Sequence, residues 1–482
     1  MQQSRRQFLG TIAVGALSIG TPARESCMGA RSADSDKRRP PNIILINTDD
    51  LGYAGIGCYG QQLIQTPRID RMASEGMRFT DFYAANTVCV PSRGYMEEYP
   101  EGIWPPTVTT LGQVLKRAGY RTAQFGKLEA GIPMPPGKMT AHGWDYWIGF
   151  RSTGAAFQYY PVSMWRNDEE VVFEANKAAE VRRPGIVGGK GIYSQDLFVK
   201  DLLRFMRENK DEPFFIYFPT QVPHGRSPLD GDEIQVPDLG PYAERPWTHL
   251  EKLYAAMLTR FDAHVGQIID QLRELGIDQN TIIFFTSDNG DENSYYKYTN
   301  RFRATGSLRG KKRFLYEGGI RVPMIVRWPG HVPAGQTSYL PWAAWDLMAT
   351  FAELAGVERP THTDGISVVP SLLGRPDRQE AREYLYWECN QAKQQAVRMG
   401  RWKAVRFGGT QEPIELYDLS ADIGESHNIA ADHPDVVAKM RGIMIQAREG
   451  SEYSKYWPLP EHRRNDIKWD QRIFNQLENG IR

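Results

Sequence analysis

Two pairs of hard oxygen donors stand far apart in the chain, Asp49-Asp50 and Asp288-Asn289. Adjacent carboxylates repel one another unless a cation neutralises them. Brought together, these side chains form a donor set suited to Ca2+, with Mg2+ second. No histidine or cysteine stands beside them in the sequence, which argues against zinc. Each pair alone also has an ordinary reading, as a cap or as an Asp-Asn-Gly turn. A second group is cationic: Arg301, Arg303, Arg309, Lys311, Lys312 and Arg313 follow closely on the second oxygen pair. Of these, Lys312 is expected in a site, whereas Arg301, Arg303 and Arg313 are expected at the surface. Arg93, Lys127 and His224 are further candidates. A divalent cation and several fixed positive groups around a nucleophile describe a site for a tetrahedral oxyanion ester. Cys89, one of four cysteines in 482 residues, offers the nucleophile position. It opens the run Cys89-Val-Pro-Ser-Arg93, which reads equally as a buried thiol beside an X-Pro turn.

The elements that must position these groups are legible as alternating runs. Residues 42–47 are a short β-branched apolar run of the kind that forms a buried parallel strand. Similar runs recur at 121–125, 214–218 and 281–286, with helical patterns at 110–118, 195–208 and 249–275. The alternation predicts a doubly wound α/β domain with a mainly parallel sheet. Asp49 and Asp50 follow the first run, Lys127 the second, His224 the third, and Asp288 and Asn289 the fourth. In open parallel sheets the functional crevice lies at the carboxyl ends of the strands. One edge therefore collects all of these polar groups. Beyond residue 375 the pattern changes to short strands at 383–388, 395–399 and 402–407 and a helix at 434–448. This predicts a smaller C-terminal α+β domain with an antiparallel sheet, closed by an extended tail.

Length allows two domains. Lys+Arg and Asp+Glu both number 58, so no global charge points to nucleic acid or to a membrane surface. The N-terminus reads as a leader. Ser4-Arg-Arg-Gln-Phe-Leu9 precedes an apolar stretch at 8–19 that is too short to span a bilayer. A twin arginine in that position has the form of a Tat export signal, which predicts a periplasmic or secreted protein and the Tat translocon as a partner. The expected organisation is a signal region at 1–33, an α/β catalytic domain at 40–374 and the C-terminal domain at 375–482. Loss of Cys27 with the leader leaves Cys58, Cys89 and Cys389, an odd number that argues against a disulfide framework.

The chain resembles the type I sulfatases of the alkaline-phosphatase-like superfamily. The resemblance rests on an ordered set: Asn47-Thr-Asp-Asp-Leu-Gly-Tyr53, Cys89-Val-Pro-Ser-Arg93, Gly119-Tyr-Arg-Thr-Ala-Gln-Phe-Gly-Lys127, Pro223-His224, Ser287-Asp-Asn-Gly290, Leu308-Arg-Gly-Lys-Lys-Arg313 and Tyr316-Glu-Gly-Gly-Ile-Arg-Val-Pro323. Ala396-Val-Arg-Met-Gly-Arg-Trp-Lys403 and Glu415-Leu-Tyr-Asp-Leu-Ser420 extend it into the second domain. The resemblance implies that Asp49, Asp50, Asp288 and Asn289 hold calcium, with Cys89 beside it. It implies that a maturation enzyme oxidises Cys89 to formylglycine, whose gem-diol attacks sulfur. Arg93 and Lys127 would stabilise diol and sulfate. His224 and Lys312 would contact the sulfate and the leaving oxygen, one of them protonating the departing alcohol. The sulfated diol would then collapse to the aldehyde and release sulfate.

Two departures from the family pattern stand out. The segment after Arg93 is shorter, and that segment helps maturation enzymes recognise the cysteine. The family's Gly-Lys-x-His reads Gly126-Lys-Leu-Glu129 here, which makes Glu129 a candidate base in place of histidine. The expected function is hydrolysis of sulfate esters of a sugar or of an aryl or alkyl alcohol. The alternatives are a phosphate or phosphonate ester hydrolase of the same superfamily and a catalytically impaired homologue that binds sulfated glycans. Substrate-shaping loops are expected at 131–191 and 226–246, rich in Pro, Gly and aromatic residues.

Overall fold

The computed structural model describes residues 39–94, 109–127, 142–150, 155–178, 191–225, 234–292, 297–361, 363–389, 394–408 and 412–449. The leader with its twin arginine, Glu129, most of the segment after Arg93, much of the expected substrate loops and the tail beyond 449 lie outside the described residues. The described residues from Pro40 onward belong to one compact unit.

In chain order the strands of the first part are β1 (Asn42–Asp49), β2 (Met77–Phe79), β3 (Phe82–Tyr83), β4 (Arg121–Lys127), β5 (Tyr146–Phe150), β6 (Ser163–Arg166), β7 (Glu169–Val172) and β8 (Phe214–Pro223). They continue as β9 (Thr281–Ser287), β10 (Met324–Arg327), β11 (Gln336–Ser338) and β12 (Trp342–Ala343). The helices are α1 (Pro67–Ser74), α2 (Cys89–Gly94), α3 (Leu111–Arg117), α4 (Ser194–Glu208), α5 (His249–Glu274), α6 (Glu317–Ile320), α7 (Asp346–Leu354), α8 (Val369–Leu372) and α9 (Pro434–Glu449).

A ten-stranded sheet runs in the order β11-β2-β10-β9-β1-β8-β4-β5-β6-β7. Its centre is parallel, β1 pairing with both β8 and β9, and β4 with β8 and β5. Antiparallel strands join at both sides, β10 against β9 and β6 against β5. This is the expected α/β sheet. The pleat explains why it is covered on both faces. Every residue of β1 is buried. Ile44 and Ile46 pack with Phe198 and Leu202 of α4 and Phe261 and Val265 of α5. Ile43 and Leu45, on the opposite face, pack with Leu111 and Leu115 of α3 and Leu347 and Phe351 of α7. Two helices start on capping boxes, Thr110 with Gln113 and Thr248 with Glu251, which satisfy first-turn amides and fix where the helices begin.

The separate four-stranded antiparallel sheet is β13 (Leu385–Cys389), β14 (Gln394–Met399), β15 (Trp402–Arg406) and β16 (Ile414–Asp418). Alternation again assigns its faces. Ala396, Val405 and Tyr417 face Tyr83, Leu315 and Ile320 of the larger part, whereas Val397, Ala404 and Leu416 face Met440 and Met444 of α9.

Candidate active site

The four central parallel strands β9, β1, β8 and β4 end on the same edge, and the candidate groups sit at those ends. Asp49 is the last residue of β1, and Asp50 follows in a left-handed conformation with φ 66°. That turn, which aspartate tolerates better than most residues, lets the Asp50 amide donate to Asp288 Oδ1 at 3.1 Å. Asn289 Nδ2 donates to Asp50 Oδ1 at 2.8 Å, closing the two oxygen pairs on each other. Gly290 follows because the backbone there meets another segment: a Cβ would lie 1.9 Å from the Gly318 carbonyl.

Cys89 and Arg93 are the first and fifth residues of α2. That spacing places them on the same helix face. The Ser92 hydroxyl donates to the Asp288 carbonyl and pins α2 to the end of β9. Arg93 Nε donates to Asp288 Oδ2 at 2.8 Å, and its Nη2 to the carbonyls of Thr48 at 3.1 Å and Thr220 at 3.3 Å. Arg93 is thus fixed by the ends of β1, β8 and β9. Lys127, the last residue of β4, donates to Asp49 Oδ2 at 2.6 Å. Gly126, at φ 124°, lets β4 pass the Pro219 carbonyl, 2.4 Å from where a Cβ would stand. Lys312 donates to both Asp50 oxygens, at 2.7 and 2.9 Å. His224 Nε2 lies 3.4 Å from Asp50 Oδ2, while Nδ1 meets the Gly225 carbonyl.

Donor atoms of Asp49, Cys89 and Asp288 lie within 4.8 Å of one another, and so do those of Asp49, Asp50 and His224. The absence of histidine and cysteine near the carboxylates in sequence therefore does not carry over to space. The folded chain brings both types to the carboxylates, because strand ends and α2 converge irrespective of chain distance. The preference for a hard cation stands instead on two oxygens. Asp49 Oδ1 and Asn289 Oδ1 are buried and have no hydrogen-bond partner among the described residues. A buried oxygen left so costs about 1–3 kcal/mol, and both atoms belong to the donor set. The residues present therefore fit an oxygen-liganded divalent cation.

Electrostatics follow from burial and neighbours. Burial would push the Asp49 carboxyl up, but Lys127, Arg93, His224 and Lys312 together hold it well below the usual carboxylate range. Asp288 is pushed up to about 7 by burial, with Arg93 opposing and Asp49 and Asp50 adding to the rise. Burial would lower Lys312 and Lys127, yet the carboxylates beside them hold both above the usual lysine range. Burial lowers His224 to about 4, the pull of Asp50 notwithstanding. Burial raises the Cys89 thiol, which is accordingly protonated and inert as it stands.

The other basic residues separate. Arg301, its side chain 40% exposed, pairs at 2.7 Å with Glu251 in the first turn of α5, and Arg303 is exposed, both as expected. Arg309 reaches the Tyr417 hydroxyl and the Glu425 carbonyl and serves the C-terminal sheet. Arg313 departs from its surface expectation: it is held against Glu292, a buried carboxylate whose Oε2 is also 3.9 Å from Lys312. Glu292 lies three residues after Asn289, so its position in the run was a usable signal. Phe157 had none. It comes from the single turn Ala155–Phe157 and stacks on the His224 ring at 4.3 Å between centroids and 12° between planes.

Comparison with known proteins agrees with this geometry. The sulfatase family model matches residues 41–357, and a model described as N-sulphoglucosamine sulphohydrolase, C-terminal, matches residues 310–450. Human arylsulfatase A is 30% identical over 89% of this chain and 91% of its own length. Mouse N-acetylgalactosamine-6-sulfatase is 30% identical over 91% of this chain and 85% of its own. The crystal structure of Ps i-CgsB in complex with k-i-k-neocarrahexaose superposes with a TM-score of 0.73 at 27% identity, covering 90% of this chain and 98% of that one. The chain belongs to the sulfatase family of the alkaline-phosphatase-like superfamily and is a sulfuric ester hydrolase.

Proposed function

We propose that the protein is an exported sulfatase acting on sulfated carbohydrate, with a formylglycine made from Cys89 as its nucleophile. Asp49, Asp50, Asp288 and Asn289 would hold a divalent cation, Ca2+ before Mg2+. The observation that carries this reading is the meeting of Cys89 with the Asp49 and Asp288 carboxylates, with Arg93, Lys127, Lys312 and His224 around them. When formed, the formylglycine hydrate supplies a hydroxyl that attacks sulfur and a route to release sulfate by C–O cleavage. The cation, when bound, supplies positive charge to the sulfate oxygens.

The remaining chemistry belongs to the side chains. Lys127 and Lys312, both buried, stay protonated beside their carboxylates and present N–H donors to a sulfate group, where low polarity strengthens such donors. Arg93, held by three strand ends, contributes a positive charge that needs no reorganisation. Between the two candidate proton donors, the geometry favours Lys312. A neutral His224 that gives its Nδ1–H to Gly225 keeps only a lone pair on Nε2. His224 would then orient the ester oxygen region and Lys312 would protonate the departing alcohol. Glu129 is proposed as the base that assists collapse of the sulfated intermediate.

A sugar substrate is supported by the names of the relatives, one an N-acetylgalactosamine-6-sulfatase and one crystallised with a neocarrahexaose. The twin arginine Arg5-Arg6 supports Tat export to the periplasm or beyond, after a formylglycine-generating enzyme has acted in the cytoplasm. Among the described residues no helix is long and apolar enough to cross a membrane.

Mass spectrometry of the Cys89 peptide from a host with maturation machinery tests the central step. Formylglycine makes the peptide about 18 Da lighter than the thiol form. A lighter peptide together with Ca2+-dependent desulfation of a sulfated oligosaccharide is expected. An unmodified thiol throughout, in a preparation that turns over fully, overturns the reading. Faster hydrolysis of an aryl phosphate than of the matching aryl sulfate overturns the substrate class. Cell fractionation of an Arg5→Lys, Arg6→Lys variant is expected to find it retained in the cytoplasm.

A further inference from the structure

Lys312 lies on a tight turn. Its own amide donates to the Asp291 carbonyl at 3.0 Å, and the Phe314 amide donates to Lys311 at 3.0 Å. Between them Arg313 sits in a left-handed conformation, φ 77°, and its amide donates to the Thr87 carbonyl at 3.0 Å. An arginine held there is unfavourable on its own and needs the surroundings to impose it. Two further backbone groups of the turn are the Arg313 carbonyl and the Leu315 amide. Both go to one side chain from the other sheet. Gln394 Nε2 donates to the Arg313 carbonyl at 2.7 Å, and Gln394 Oε1 accepts from the Leu315 amide at 2.9 Å.

Gln394 is the first residue of β14 and is 1% exposed. It is paired in register with Cys389 of β13, whose sulfur accepts from the Thr87 hydroxyl at 3.6 Å. Thr87 in turn receives Arg313 and lies two residues before Cys89. One edge of the C-terminal sheet thus grips both the turn that carries Lys312 and the segment that leads into Cys89. A side-chain amide is the group this place requires. It offers a donor and an acceptor in a fixed plane, matching a carbonyl and an amide two residues apart. Leucine offers neither, and a carboxylate offers only acceptors.

We infer that Gln394 is a positioning residue for Lys312: it clamps residues 313 and 315 so that the lysine ammonium is held over the Asp50 carboxylate, at the place where an ester oxygen departs. The inference rests on the reading of Lys312 as proton donor and sulfate contact. It also gives the C-terminal sheet a part in catalysis without contact with substrate.

A double-mutant cycle on the mature enzyme tests it. Initial rates on 4-nitrophenyl sulfate are measured for wild type, Gln394→Leu, Lys312→Ala and the double variant. Gln394→Leu is expected to lower kcat by about 10- to 100-fold with little change in KM. In the Lys312→Ala background the same substitution is expected to cost less than about 2-fold, because the group it positions is gone. Equal losses in both backgrounds overturn the inference and leave Lys312 in its role. A Lys312→Ala enzyme as fast as wild type overturns both. If Gln394→Leu does not fold, Gln394→Glu keeps the side-chain size and the acceptor for Leu315 while losing the donor to Arg313. The same non-additivity with Lys312→Ala is expected from it, and additive losses overturn the inference.

Discussion

Two of the buried charge clusters among the described residues are finished differently. At the strand ends, Asp49, Asp50, Asp288 and Asn289 meet Arg93, Lys127 and Lys312, yet among the described residues Asp49 Oδ1 and Asn289 Oδ1 find no hydrogen-bond partner. Where α6 meets the C-terminal sheet, Glu317 is filled on every side. Its Oε1 accepts from Lys403 at 2.7 Å, and its Oε2 from the Tyr83 hydroxyl at 2.9 Å and Arg321 at 3.1 Å. Its amide donates to Glu425 Oε2 at 2.7 Å. The loose ends there are peripheral: Glu425 Oε1, 3.5 Å from Lys403, and two nitrogens of Arg398. Both clusters are costly to bury. One satisfies its central carboxylate from within and ties two sheets together. The other leaves its central oxygens open, as a site must if a ligand is to complete it.

The comparison breaks most visibly at Cys89. Cys89→Ala should abolish turnover by more than about 10^4-fold in steady-state assays, with a thermal midpoint near that of wild type. Residual wild-type turnover would remove Cys89 from the mechanism. Lys403→Met should do the reverse. Removing one partner of a buried pair costs about 3–5 kcal/mol, read as a shift of the urea midpoint, while turnover per folded molecule holds. An equal loss of turnover would mean that the interface cluster belongs to the active site.

The acid limb separates the clusters more finely. Burial would raise Glu317, but Lys403, Arg321 and Arg398 outweigh it and hold it at about 2, below its ordinary value of 4.5. A carboxylate with a folded value below its unfolded one contributes stability that is present above the unfolded value and lost as pH falls through the folded one. Stability should therefore fall between pH 4.5 and pH 2. Fluorescence of Trp387, buried at this interface, should report it, and Glu317→Gln should flatten that stretch of the profile. An unchanged slope would deny Glu317 this role. The smallest effect is expected at Arg301. Its pair with Glu251 is partly exposed, so Arg301→Ala should change stability by less than about 1 kcal/mol and leave kcat unchanged. A larger loss of rate would return the outer basic residues to the site.

Much of this was open to reading from residue types. The strands at 42–47, 121–125, 214–218 and 281–286 became β1, β4, β8 and β9, because a continuous β-branched or aromatic run has few other ways to be buried. Their ends ran further than the apolar runs did. β8 extends to Pro223, five residues past the expected end, since polar Thr220 and Gln221 find partners in Gln195 and Ser194 of α4. Arg313 was misjudged because charge alone cannot tell a solvated loop from one folded back onto a buried glutamate.

The sequence by itself determined which strands would be buried, and hence that Asp49, Lys127, His224 and Asp288 would stand at strand ends. That follows from hydrophobic pattern, which is local and has a fixed period. Only the tertiary structure decided which side chains share an atom's reach. Phe157 lies on His224, Ser92 on Asp288, and Gln394 on the turn of Lys312. These contacts join segments that no periodicity relates. They depend on sheet order, register and the angle at which a second sheet is docked, and those are settled by packing the whole chain at once.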